Sequence, residues 1–80
     1  MSIDSAIAEV AARQYGLVEL GQLEAAGVRR HHVVTRVRRG HLERLRPGVF
    51  VVAGSPRSYE QAVFAAVLAA GTHAVAAHAT

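Results

Sequence analysis

Glycines at 16, 27 and 40 divide the first forty residues into three short stretches, each with room for a helix of about two to three turns and little more. From Ile3 the apolar residues recur at Ile7, Val10 and Ala11, the spacing of one helix face, with Ser2 or Asp4 available as N-cap and Gly16 as C-cap. This predicts a first helix over about 4–15. A second pattern starts near Val18 or Glu19, carries Leu20 and Leu23, and stops at Gly27. After the connection Ala26-Gly27-Val28, a third pattern over about Arg29 to Arg39 holds Val33 and Val37 four apart, with Val34 adjoining, and ends at Gly40. Helix, short turn containing Gly, helix is the sequence form of a helix-turn-helix.

Beyond Gly40 the period changes. Val49-Phe50-Val51-Val52 is a β-branched and aromatic run opening directly after Pro47-Gly48, and it predicts a strand after a turn. Its partner is Leu42 to Arg46. There Leu42 and Leu45 are three apart rather than two, which implies a bulge or a late helix end, and Pro-Gly favours a type II turn. Ala53-Gly54-Ser55-Pro56 reads as a loop, after which Ser58 caps a last helix, Tyr59 to Ala70, closed by Gly71. The expected fold is mainly α with a small β-hairpin, a winged helix-turn-helix built from three helices, a wing and a trailing helix. That last helix is apolar on nearly every face, so it calls for burial on more than one side, beneath the wing alone or also against another subunit or domain. His73 to Thr80 begins a further apolar element and stops, so the end reads as a cut.

Charge is segregated along this chain. Seven of the nine basic residues lie between Arg29 and Arg46, against the single acid Glu43, so the window carries +6 while the remainder carries −3. A one-sided cationic surface on a small domain focuses potential toward a polyanion, of which nucleic acid is the commonest large one. In a helix-turn-helix the second helix presents its early residues to base edges in the major groove. With Val33 and Val37 inward, Arg29, His31, His32, Thr35, Arg36, Arg38 and Arg39 lie wholly or partly outward. Arg29, Arg30, His32 and Arg36 are the candidates for bases, Arg38 and Arg39 for phosphates, and Arg44 and Arg46 for the backbone or minor groove from the wing. Residues 1–57 are then the DNA-binding domain, and 58–80 the trailing helix with the start of a truncated C-terminal region.

Other chemistry finds little support. Cys is absent, so disulfides, thiolate metal sites and cysteine nucleophiles are excluded. His31 and His32 point about 100° apart on a helix, with no acid or thiol beside them to complete a metal site. Neither a metal nor a cofactor is expected, and no nucleophile, base and orienter constellation suggests catalysis. His31, His32 and His41 among the arginines would gain charge in mild acid, which predicts tighter DNA binding at pH 6 than at pH 8. The first twenty residues lack the form of a secretory signal. The longest apolar run, Ala62 to Ala70, is about half of a membrane span, so a cytoplasmic location is expected.

The residues quoted so far also form a family pattern: Tyr15-Gly16-Leu17-Val18, Leu20 and Leu23, Gly27-Val28, Val33 and Val37, Gly40-His41-Leu42, then Leu45-Arg46-Pro47-Gly48-Val49-Phe50. In these the chain resembles the N-terminal part of the AbiEi-like antitoxins of type IV toxin–antitoxin systems and related transcriptional-regulator-like proteins. The segment from Gly40 to Phe50 is the most specific portion. Ala76-Ala77-His78-Ala79-Thr80 is similar to the opening of the family's next motif, with Ala77 where Ser is common. The resemblance implies a winged helix that binds double-stranded operator DNA ahead of its own operon. It also implies a C-terminal domain, missing here, that acts against a nucleotidyltransferase-like toxin, whereas in other relatives the same module precedes an endonuclease-like domain. The reading reached is a DNA-binding autorepressor module with a homodimer as one of its forms. The alternative is a protein-interaction module using the basic face and the apolar Tyr59–Ala70 helix for a dimer or toxin contact.

Overall fold

The computed structural model describes the backbone over residues 2–78 and side chains over residues 2–71. Helix α1 (Ile3–Ala12) starts where Ser2 Oγ accepts the Ser5 backbone N–H at 3.0 Å, and it buries Ala6, Ile7 and Ala11 on one face. The chain then turns through Tyr15 and Gly16 into a strand, β1 (Leu17–Glu19). This corrects the expected start of the second helix at Val18 or Glu19. Leu17 and Val18 are fully buried in extended backbone. Helix α2 (Leu20–Ala25) begins only after Glu19, whose carboxylate accepts the Gln22 N–H at 3.0 Å while Gln22 Oε1 accepts the Glu19 N–H at 3.1 Å. That reciprocal pair satisfies two of the donors a helix start leaves over, and so fixes the boundary.

Helix α3 (Arg30–Arg38) follows, with Arg29 at its N-cap, and then strands β2 (Leu42–Arg46) and β3 (Val49–Val52). The three strands form an antiparallel sheet in the order β1-β3-β2, so the expected hairpin is present and a third strand joins its other edge. Leu17 pairs with Val51 and Glu19 with Val49 on one side; Leu42 pairs with Val52 and Arg44 with Phe50 on the other. Both faces of this sheet are covered. Val18, Leu42 and Phe50 pack with Ala6, Ile7, Ala11, Leu23, Val28 and Val33 from the first three helices. Leu17, Val49 and Val51 pack against Ala65 and Ala69 from the last helix.

Burial on both faces explains why β3 is an unbroken apolar run rather than an alternating one. It also explains Leu42 and Leu45: Leu42 faces the first three helices and Leu45 faces the last, so their odd separation is ordinary alternation in a two-sided sheet. The register shift lies where the spacing suggested irregularity, between Arg44 and Arg46, so that Arg46 pairs with Val49 across the Pro47-Gly48 turn.

Helix α4 (Tyr59–His78) begins where Ser58 Oγ accepts the Gln61 N–H at 3.1 Å. Gln61 Nε2 donates to the carbonyls of Tyr15 at 2.7 Å and Pro56 at 3.2 Å, and Phe64 meets the Tyr15 ring edge-on at 5.8 Å, so α4 is tied to the turn that ends α1. The helix does not close at Gly71. An interior Gly costs a helix about 1 kcal/mol relative to Ala but does not stop it, and the element expected from His73 is the same helix continued to His78. The side chains of His73 and His78 and the end of the Ala76 to Thr80 motif lie outside the described residues. Opposite the sheet, Tyr59, Val63 and Val67 form an exposed stripe on α4. Among the described residues, then, four helices enclose a small three-stranded sheet, an arrangement compatible with a winged helix.

Candidate nucleic-acid interface

Helix α3 meets the core through Val33, which is 2% exposed, while His32 and Arg36 flank it half-buried. At about 100° per residue this sets His31, Thr35 and Arg38 on the opposite face and Arg30 and Val34 on the flank between it and Val33, all of them exposed, with Arg29 exposed at the N-cap and Arg39 exposed at the C-cap. Val37, expected inward with Val33, is 36% exposed, and Val34 is 44% exposed. Thr35, exposed, has its Oγ1 donating to the His31 carbonyl at 2.9 Å.

The hairpin stands beside this face. Arg44 pairs with Phe50 across the ladder, on the side of the sheet that looks toward α3. Between helix and hairpin lies a groove of about 480 Å³ lined by the apolar Leu20, Val33, Val34, Val37 and Phe50 together with Arg30, Arg38 and Arg44. Three arginines from two elements thus converge on one concavity. Arg46 is exposed near the hairpin turn. Glu43, the one acid of the basic window, accepts from Arg57 Nη2 at 2.7 Å, so a cation from outside the window offsets its charge.

Arg36 has a different environment. Its Nε donates to Asp4 Oδ1 at 2.7 Å and its Nη1 to the His32 carbonyl at 3.1 Å, and its side chain is only 18% exposed. The guanidinium points toward α1 rather than along the solvent face. This hydrogen bond, with positive charge on Arg36, His41 and Arg39, holds the Asp4 carboxyl below its ordinary range.

His32 is also engaged. Its Nδ1 accepts the Arg29 backbone N–H at 3.1 Å, closing the start of α3 where Arg29 has no acceptor of its own to offer. Partial burial, then the nearby positive groups His31, Arg36 and Arg29, push its pKa down. His31 lies against it with ring centroids 4.1 Å apart.

Of the sequence-predicted residues, the structure brings Arg30, Arg38 and Arg44 together and leaves His31, Thr35, Arg29, Arg39 and Arg46 exposed around them. It turns Arg36 and His32 aside into intramolecular bonds. Sequence reasoning missed Val34 as an outward residue, although a helix cannot bury adjacent valines equally and Val33-Val34 carried that signal. Among the described residues no group of three His, Cys, Asp or Glu side chains stands close enough to hold a metal, and no helix is long and apolar enough to cross a membrane.

A basic helix that follows a short helix after a glycine-containing turn and stands beside an antiparallel hairpin defines a small domain compatible with a winged helix. The family described as transcriptional regulator, AbiEi antitoxin, matches residues 5–53, from the first turn of α1 past the end of β3. The match spans more than half of the chain, which belongs to this family of transcriptional regulators, a family of antitoxins rather than of enzymes. Neither the curated proteins nor the solved structures offer a match to it.

Proposed function

We propose that this chain is the operator-binding part of an antitoxin-type autorepressor, a winged helix-turn-helix that lays α3 in the major groove of double-stranded DNA. The observation that carries the reading is the convergence of Arg30, Arg38 and Arg44 on the groove between α3 and the hairpin. In this reading Arg30, with Arg29 at the helix start, reaches guanine edges, and His31 and Thr35 lie over neighbouring bases. Arg38 and Arg39 hold phosphates, and Arg44 and Arg46 meet the backbone from the wing. Arg36 orients α3 and does not read bases, and His32 closes the helix start. Residues 1–57 are the DNA-reading unit, braced by α4, and the setting is the cytoplasm. A nucleotidyltransferase-like toxin would be met by a further domain rather than by this one.

Fluorescence anisotropy on a duplex from the chain's own upstream region and on a scrambled duplex tests the reading. If about six phosphates are neutralised, log K falls against log salt with a slope of roughly −5, and preference for the native duplex persists as salt rises. A slope near −1 would sink it.

The exposed stripe Tyr59, Val63 and Val67 on α4 favours a second reading, in which α4 serves a homodimer or toxin contact. The two readings meet if a dimer places two copies of α3 on paired half-sites. Sedimentation of the free chain tests the dimer form of the second reading, because a complex formed without DNA supports it.

A further inference from the structure

The solvent face of α3 is not uniformly basic. Val34 stands on it between Arg30 and Arg38, one turn from each, and Val37 lies at the edge of the same groove. Valine is a weaker helix former than Ala, Arg, Lys or Glu, and an outward valine leaves its methyls in water. Helix stability therefore does not account for Val34. Attraction to phosphate accounts for the flanking arginines and not for an apolar residue set among them. One base edge does present an apolar group to a helix in the major groove, the C5-methyl of thymine.

We infer that Val34, with Val37 beside it, reads the 5-methyl group of a thymine lying within about two base pairs of a guanine contacted by Arg30. The separation follows from the two lattices: residues four apart on a helix lie about 6 Å apart along its axis, and base pairs repeat about every 3.4 Å. The inference rests on the DNA-binding reading above and extends it to the identity of the bases. It gives Val34 a role in specificity that its neutral side chain would not suggest, and it assigns the outward face of α3 a mixed readout, hydrogen bonds from Arg30 and methyl burial on Val34.

The test uses random-core duplex pools prepared in parallel with thymine or with uracil, which differ only in the C5-methyl. Duplexes retained by the chain at near-physiological salt are sequenced, and the best is remade in both forms for anisotropy with the wild-type chain and with Val34→Ala. The expected outcome is enrichment of sites with thymine within two base pairs of guanine, and binding about fourfold weaker for each contacted methyl removed. Val34→Ala should bind both forms alike, near the wild-type affinity for the uracil form. Selective binding by the wild-type chain that is equal for both forms, or enrichment of sites without thymine, overturns this inference and leaves DNA reading intact. Failure to retain any duplex above background removes the DNA reading and this inference with it.

Discussion

Arg36 Nε donates to Asp4 Oδ1 across 2.7 Å and thirty-two residues of chain, so this side chain of α3 reaches toward α1 and not toward solvent. An arginine held this way supports the orientation of α3. Arg36→Ala is expected to lower thermal stability and to weaken specific and random DNA by the same factor, because no base contact is lost. Arg30→Ala should instead relax discrimination between sites by about 1–3 kcal/mol at one base position. Comparing both variants on native and scrambled duplexes decides it. A selective loss in Arg36→Ala would return that residue to the base-reading set.

The same pair sets an acid limit. Because Asp4 titrates below its ordinary value of 3.8 in the folded chain, its contribution to stability is complete above that value and is lost as pH falls from 3.8 through the lowered folded pKa. Asp4→Asn should start less stable at neutral pH and show a shallower decline below pH 4. Urea midpoints measured between pH 3 and pH 7 provide the check, and parallel acid limbs would show that the ion pair carries no linkage.

Arg44 stands on the hairpin rather than on the helix, opposite Phe50 and across the groove from Arg30 and Arg38. A backbone contact from such a position carries no base information. Arg44→Ala should weaken native and scrambled duplexes alike and reduce the salt slope by about one. An unchanged slope would mean that the wing does not touch phosphate.

What the sequence made legible was local. Gly27 and Gly40 bounded α3, Ser58 capped α4, and the Val49 to Val52 run was a strand, each because the signal lay within a few residues of its effect. Strand β1 was not legible, since three residues show no period and Leu17-Val18-Glu19 becomes a strand only by pairing with β3 thirty or more positions later. The direction of Arg36 was hidden for the same reason, its partner being on α1. The facing of α3 was read one step off. Val33 and Val37 have helical spacing, but the core accepts only Val33 fully, and the arc between His32 and Val33 that includes Arg36 turns inward instead. Arg30, which an inward Val33 and Val37 would draw to the core side of the helix, is exposed and lines the groove with Arg38 and Arg44.

His32 behaves differently from an exposed histidine. Partial burial, then His31, Arg36 and Arg29, disfavour its charged form, and protonation would also remove the acceptor that Nδ1 offers to the Arg29 N–H. With a folded pKa below 6.5, its contribution to stability is present above 6.5 and is lost as pH falls from there through the lowered value. Glutamine at this third helical position can accept the same N–H without titrating. His32→Gln should therefore flatten the loss of stability just below pH 6.5 while leaving the change in DNA affinity between pH 8 and pH 6 as in the wild type. Any acid gain in binding then arises outside His32. A binding gain that disappears in His32→Gln would reverse this assignment.

Gly16 offers the sharpest test of how the two cores are joined. It sits at φ 85 directly after Tyr15, whose carbonyl accepts from Gln61, and a Cβ at Gly16 would run into the Ser55 hydroxyl. Gly16→Ala thus combines left-handed backbone, a cost of about 1–2 kcal/mol for a residue with a Cβ, with displacement of the loop that leads into α4. Gly27→Ala provides the control, since φ there is 91 and nothing lies within 4 Å of an added Cβ. Denaturant unfolding should show Gly16→Ala to be the more destabilising of the two. Adding Ser55→Gly should recover the difference and leave the backbone cost common to both. If Gly16→Ala and Gly27→Ala are equally destabilising, the loop from Ala53 to Ser58 yields freely, and the link between the turn after α1 and α4 rests on Gln61 and the Phe64–Tyr15 ring contact.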